Sequence, residues 1–383
     1  MRASRPLRLL MATVLLVATF VAAMAADRVT FRHRGKTLEV EGRVLVTAED
    51  GGLLVIGRDA VLWRVPPEDL VKHSKDETPF QPLSADQFTR SVLADLPKGF
   101  EVYTTSHYLI AYNTSRGYAQ WCGSLLERLY TAFTNFWSRK GFDLREPALP
   151  LVAIVFADRQ SYAQHVQAEL GEAAASIIAY FHLETNRITM YDLTGSESSG
   201  RPAERSTAAL IHRILAQPDA ERTVATIVHE ATHQIAFNCG LHTRLSDCPL
   251  WFSEGIATYF ETPDLSSTKG WRNVGAVNQA RLARFLDYLR RRPADSLTTL
   301  LSDDKRFRDA KQALDAYAEA WALTYYLIQK HQKQYVTYLS LLSRKKPLLW
   351  DDTATRLNEF KQVFGDDLRR LDGEFVRYMM RVR

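Results

Sequence analysis

Three residues near the middle of the chain have the spacing that a metal site requires. The stretch TIVHEATHQIAF, Thr226 to Phe237, holds His229, Glu230 and His233 in the order His-Glu-x-x-His. On an α-helix, residues four apart lie one turn above the other on the same face. His229 and His233 can therefore offer two imidazoles to one ion, at about 2.0–2.1 Å for zinc. Glu230 is offset by one position, so it stands beside the ion rather than on it. A base that takes a proton from activated water belongs there. The competing reading is an amphipathic helix on which both histidines are ordinary polar positions.

Two histidines leave the class of the site open, because the third ligand decides it. A metzincin needs Gly three residues and His six residues after the second motif histidine. Those positions hold Ala236 and Cys239, and His242 is out of register. Cys239 could bind zinc as a thiolate, but Cys248 lies close by in sequence. In oxidising surroundings the expected outcome is a Cys239–Cys248 disulfide. Cys122, inside a helical pattern, reads as a buried free thiol.

A second stretch, WFSEGIATYFE from Trp251 to Glu261, resembles the glutamate helix of gluzincins. In aminopeptidases of the leukotriene-hydrolase kind that helix reads much like W-L-N-E-G-F-A-x-Y-x-E. The resemblance implies zinc as cofactor, Glu254 as third ligand and Glu230 as general base. Glu261, two turns along the same face, is either a carboxylate that orients a ligand histidine or a solvated helix end. The segment YAEAWALTYYL, Tyr317 to Leu327, resembles the aminopeptidase helix that begins with an oxyanion-stabilising tyrosine. It implies that Tyr317 polarises the scissile carbonyl; the alternative is a core aromatic. The resemblance covers about residues 100–330 and points to exported gluzincin-like families described only as domains of unknown function. One departure matters. The Gly-x-Met-Glu-Asn strand that holds a substrate amino terminus in those aminopeptidases has no counterpart, since the corresponding hairpin reads IIAYFHLETNRITMYD. Aminopeptidase specificity is therefore not implied.

The elements that must position these residues can be read from periodicity. Residues 27–75 alternate apolar and polar positions, with a turn at EDGG, and read as a small β module. KHSKDETPFQPLS, Lys72 to Ser84, reads as a polar linker. From Phe100 the pattern becomes α/β. A strand pair is followed by a long helix ending at Gly141, a buried strand at LPLVAIVFAD and a helix at RQSYAQHVQAEL. Ser176 to Leu193 reads as a hairpin turning at Glu184-Thr185-Asn186, and part of Ala179 to Tyr191 is the expected edge strand for pairing with a substrate backbone. A polar insertion at Thr194–Ser206 and a helix through TAALIHRILAQ precede the motif helix. Asp219 is its expected N-cap, and Pro249 starts the next helix. Beyond residue 265 only helices are expected. The predicted class is α+β: a zincin-like catalytic domain at 76–264 with a small mixed sheet and active-site helices, the β module at its N-terminal side, and a helical region at 265–383 completing the cleft.

The first 25 residues combine Arg2, Arg5 and Arg8 with an apolar run and end in Ala23-Met24-Ala25. That pattern is expected of a signal peptide cut near Ala25 and of a secreted or periplasmic protein; the alternative is an uncleaved anchor. The 383 residues carry a formal charge of +5, and removing the three leader arginines leaves +2. A near-neutral chain gives no warrant for nucleic-acid binding. No stable membrane insertion is expected once the leader is cut. The expected partner is a peptide or protein substrate of a zinc-dependent peptidase. The alternative is a catalytically silent scaffold of the same type that binds a protein or cell-surface partner.

Overall fold

A computed structural model of the chain describes residues 25–194, 218–262 and 274–383. The leader through residue 24, most of the polar insertion, the TAALIHRILAQ pattern and the first residues of the last region lie outside these. No helix among the described residues is long and apolar enough to cross a membrane. The architecture is mixed α and β, with sheet at the N-terminal side and helices towards the C-terminus.

The first sheet holds β1 (Ala25–His33), β2 (Lys36–Thr47), β3 (Leu53–Gly57), β4 (Leu62–Val65) and β5 (Leu70–Pro79), in the order β4-β3-β2-β1-β5. Neighbouring strands run antiparallel. Arg34 and Gly35, at φ of 48° and 75°, make the two-residue turn that joins β1 to β2. Val29, Phe31, Leu53, Val55 and Val65 form its small core. The expected linker is corrected here: Lys72–Pro79 belongs to β5, which pairs with β1. The segment lacks apolar alternation because β5 is a charged edge strand, a common protection against edge-to-edge pairing. His73 Nε2 on β5 lies 2.8 Å from the Asp27 carboxylate on β1.

The second sheet holds β6 (Glu101–Thr104), β7 (Tyr108–Tyr112), β8 (Leu151–Phe156), β9 (Ala179–His182) and β10 (Arg187–Tyr191), in the order β6-β7-β8-β10-β9. The central strands β7, β8 and β10 are parallel, and the two edges are antiparallel. β8 is buried along its whole length, as a strand covered on both faces must be. One face packs on α1 (Ala85–Ala94) and α3 (Arg159–Leu170). The other face packs on α2 (Arg116–Arg139) and the motif helix α4 (Pro218–Asn238). Asp219 lies within α4 rather than in front of it, so it is not the N-cap expected from sequence.

The remaining helices are α5 (Leu250–Phe260), α6 (Gln279–Tyr288), α7 (Ser296–Ser302), α8 (Lys305–Arg308), α9 (Ala313–Lys330), α10 (Gln332–Leu342), α11 (Thr353–Phe364) and α12 (Leu368–Met379). Pro249 is the N-cap residue of α5. α5 lies hard against α9 because residue 255 is glycine. A Cβ there would sit 2.1 Å from Thr324 Oγ1 and 3.0 Å from the Ala320 carbonyl oxygen. The loop joining α4 to α5 is held from the far side by α11, through a buried Arg356–Asp247 pair at 2.5 Å. Asp304 adds a second tie, since one of its oxygens accepts the Leu250 amide at 3.0 Å and its carboxylate also pairs with Arg356.

The expected Cys239–Cys248 disulfide is corrected by the structure: both are free thiols. Cys239, the residue after α4, lies against the Tyr130 hydroxyl. Cys248 faces the other way, with its sulfur 3.8 Å from His242 Nδ1. The anchored Asp247 sets the course of the loop, and that course separates the two sulfurs. Cys122 is buried and free, as its helical setting requires.

Candidate metal centre

The turn of α4 that carries His229 and His233 faces α5, and Glu254 projects from α5 to meet them. His229 Nε2 lies 3.0 Å from Glu254 Oε2 and 3.2 Å from His233 Nε2. His233 Nε2 is 3.4 Å from the same carboxylate oxygen. Ligands about 2.0–2.1 Å from a tetrahedral ion stand about 3.3–3.4 Å from one another, so the three atoms have the separations such an ion needs. Their side chains are 11, 12 and 13% exposed. The group could hold a metal ion.

The hydrogen-bond chemistry argues for a cation more strongly than the distances do. Glu261 closes α5 and places Oε1 3.1 Å from His229 Nδ1. Its carboxylate is charged and held in place. Arg281 on α6 reaches both oxygens, at 2.9 and 3.1 Å, and Asn278 donates at 3.0 Å. This arrangement makes Nδ1 the donor nitrogen of His229. A neutral His229 then turns a lone pair towards a carboxylate oxygen and another imidazole nitrogen. Acceptors meeting acceptors in a nearly dry site are costly, and either a metal ion or an added proton resolves the conflict. Burial opposes protonation of His229, but Glu254 and Glu261 overcome it and hold its pKa well above the usual value. Burial likewise works against ionised Glu254, yet His233 and His229 keep its carboxyl well below the ordinary carboxylate range.

Glu230 is turned away from the three converging atoms and accepts the Phe181 amide of β9 at 2.8 Å. Burial raises its pKa, and the two histidines only partly counter this. The edge strand and the candidate base are thus joined by one hydrogen bond. Tyr317 lies in the second turn of α9 rather than at its start. Its ring is 6.4 Å from that of His229, and the Arg281 guanidinium sits over it at 5.5 Å. Burial and the nearby carboxylates of Glu254 and Glu230 push its hydroxyl pKa up, so it stays a donor.

Residues 223–349 match a family described as Protein of unknown function (DUF1570). The matched segment contains every residue from His229 to Tyr317 described above; β9 and the first sheet lie outside it. No curated protein matches the chain.

Of the residues singled out from sequence, His229, His233 and Glu254 converge, and Glu230, Glu261 and Tyr317 stand around them. Glu261 takes the orienting position rather than a solvated end. Cys239 and His242 stay out of the centre; His242 is buried between Phe237 and Phe252, where burial pushes its pKa down to about 3. Sequence reasoning missed Arg281, Asn278 and the Phe181 amide. Asn278 could have been found as the N-cap of α6, since its side chain accepts the Arg281 amide. Nothing local signals that the same cap reaches Glu261.

Proposed function

We propose that the protein is a secreted, zinc-dependent peptidase of gluzincin type with a zincin-like catalytic domain. One observation carries the reading: two imidazoles and a carboxylate converge at ion-binding separations while a fourth group, the non-ligating carboxylate of Glu230, stands beside them. Three protein ligands leave a position open, whereas structural zinc sites are closed by four. His229, His233 and Glu254 would hold the ion, which when bound supplies the Lewis acidity that makes water nucleophilic and polarises a carbonyl.

The chain's own residues then have distinct tasks. Glu230 takes the proton of the attacking water and returns it to the leaving amine. Its bond to the Phe181 amide keeps that carboxylate at the sheet edge, where a peptide backbone can pair. Tyr317 donates to the oxygen on which charge develops. Glu261, fixed by Arg281 and Asn278, keeps the lone pair of His229 turned towards the centre. A silent scaffold is the weaker reading, because it has no need of a base beside the ion. The leader Met1–Ala25 places the activity outside the cytoplasm in this reading.

Elemental analysis of the purified mature chain tests it, with Glu254→Gln and Cys239→Ser alongside. One zinc per chain is expected in the wild type and in Cys239→Ser, and none in Glu254→Gln. The loaded wild type should cleave a peptide library that Glu230→Gln leaves intact. A wild type that takes up no zinc from added metal would sink the proposal.

A further inference from the structure

A cavity of about 900 Å³ lies between the first sheet and the α3-bearing face of the second, over Ile154 and Thr189, and reaches its β9 edge. On one side it is walled by β4 and the turn after it, with Trp63, Val65 and Pro66. On the other it is walled by Tyr180 and His182 of β9 and by Ala168 of α3. β4 is the edge of the first sheet and β9 the edge of the second. The two edges are fastened together at the Glu184 end. The Leu62 amide donates to the Glu184 carbonyl at 2.8 Å, and Arg64 pairs with the Glu184 carboxylate at 2.5 Å. Arg244, from the loop between α4 and α5, adds bonds to the Ala60 carbonyl at 2.9 Å and the Leu183 carbonyl at 3.1 Å. The loop that links the two ligand helices therefore also holds the first sheet in place.

The orientation of β9 decides what this cavity can receive. The His182 carbonyl accepts the Asn186 amide across the hairpin, so the backbone groups of His182 and Tyr180 face β10. The Phe181 amide points the opposite way, to Glu230. By the alternation of an antiparallel ladder, the Phe181 carbonyl and the Ala179 backbone also face outwards. Side chains alternate too. Phe181 stacks on Phe237 of the motif helix, at 5.9 Å between ring centroids. Tyr180 and His182 point to the other face, into the cavity.

We infer that the first sheet is the specificity wall of the enzyme. An extended peptide pairs with the outer edge of β9 through the Phe181 carbonyl and the Ala179 backbone. Its residue opposite Phe181 faces the motif helix, and the residues on either side of that one send their side chains into the cavity below β4. The ligand is thus an extended polypeptide with bulky side chains at alternate positions, packed against Trp63 and Tyr180. At about 900 Å³ the cavity is larger than one side chain needs. This inference rests on the peptidase reading above and adds to it where specificity is set.

The test is cleavage of a proteome-derived peptide library by the zinc-loaded full chain, with products read by mass spectrometry. Wild type is compared with Ala168→Trp, which fills the cavity from an exposed position on α3, and with Trp63→Ala, which enlarges it. Expected for Ala168→Trp is a kcat/KM at least tenfold lower on peptides with aromatic residues at the alternate positions. Peptides with Ala or Ser there should change less than twofold, and zinc content should match the wild type. Trp63→Ala should relax the same positions; should it melt early, Ala168→Trp decides alone. Cleavage with an unchanged profile, or with a loss uniform over all positions, overturns the inference and leaves the peptidase reading standing. No cleavage by zinc-loaded wild type removes both.

Discussion

Two buried carboxylates, 65 residues apart in sequence and both among positive or polarisable groups, behave in opposite ways. Glu319 on α9 is fully buried, and its oxygens are met by Arg292 and Arg306 at 2.7 Å each and by the Ser296 hydroxyl at 2.8 Å. Arg292 is shared with Asp372 on α12 at 2.6 Å. Donors and acceptors balance, and the cluster ties α7, α8 and α12 around α9. Glu254 on α5 faces two imidazole nitrogens, one of which Glu261 has turned into an acceptor. Acceptors outnumber donors there. Burial and charge are common to both places; the imbalance is what distinguishes a site that can bind an ion from one that only holds helices together. Tyr317 and Glu319, two residues apart on α9, belong one to each.

The comparison can be broken most forcefully at Glu230. In Glu230→Gln the peptidase rate should fall by about 10²–10⁴-fold with zinc content unchanged, measured by hydrolysis of a library-derived peptide. Equal rates in the two proteins would remove Glu230 as the base. Next, Glu319→Ala leaves buried arginines unpaired and should cost about 3–5 kcal/mol in denaturant unfolding. Glu254→Gln should abolish metal binding yet unfold close to the apo wild type. If both variants lose stability alike, the two carboxylates are structural and the contrast fails.

Chelation sharpens the same contrast. At a free metal concentration a hundredfold above Kd, binding stabilises the folded state by about 2.7 kcal/mol. The melting temperature of wild type and of Cys239→Ser should therefore drop on adding chelator, and that of Glu254→Gln should not move. The smallest effect is expected at Arg281→Met, which frees Glu261 from its guanidinium. Metal affinity should weaken about 10–100-fold, read by competition with a chromophoric chelator. Unaltered affinity would mean that Asn278 alone is enough to orient Glu261.

Much of the scaffold was legible because it is written in local periodicity. The helix at Arg159–Leu170 and the turn between β9 and β10 lie where the pattern puts them. Lys72–Pro79 misled because an edge strand needs no apolar face, so its sequence looks like a linker. The two cysteines misled for a different reason. Nine residues of separation permit a disulfide, but Asp247, Arg356 and Lys345 fix the course of the intervening loop, and that ion cluster joins residues about a hundred positions apart.

The sequence by itself determined the two imidazoles on one helical face, the offset of Glu230 and the order of α4 before α5. The first two follow from a repeat of 3.6 residues and involve neighbours within a turn, and the third is simple chain order. Tertiary structure alone decided that Glu254 comes within 3.0 Å of His229, that Arg281 holds Glu261, and that the Phe181 amide reaches Glu230. It also placed the first sheet against β9, through Arg64 and Arg244. These contacts join segments separated by loops, and which pairs meet depends on how whole faces pack, as at Gly255 and Thr324. No local repeat encodes such packing.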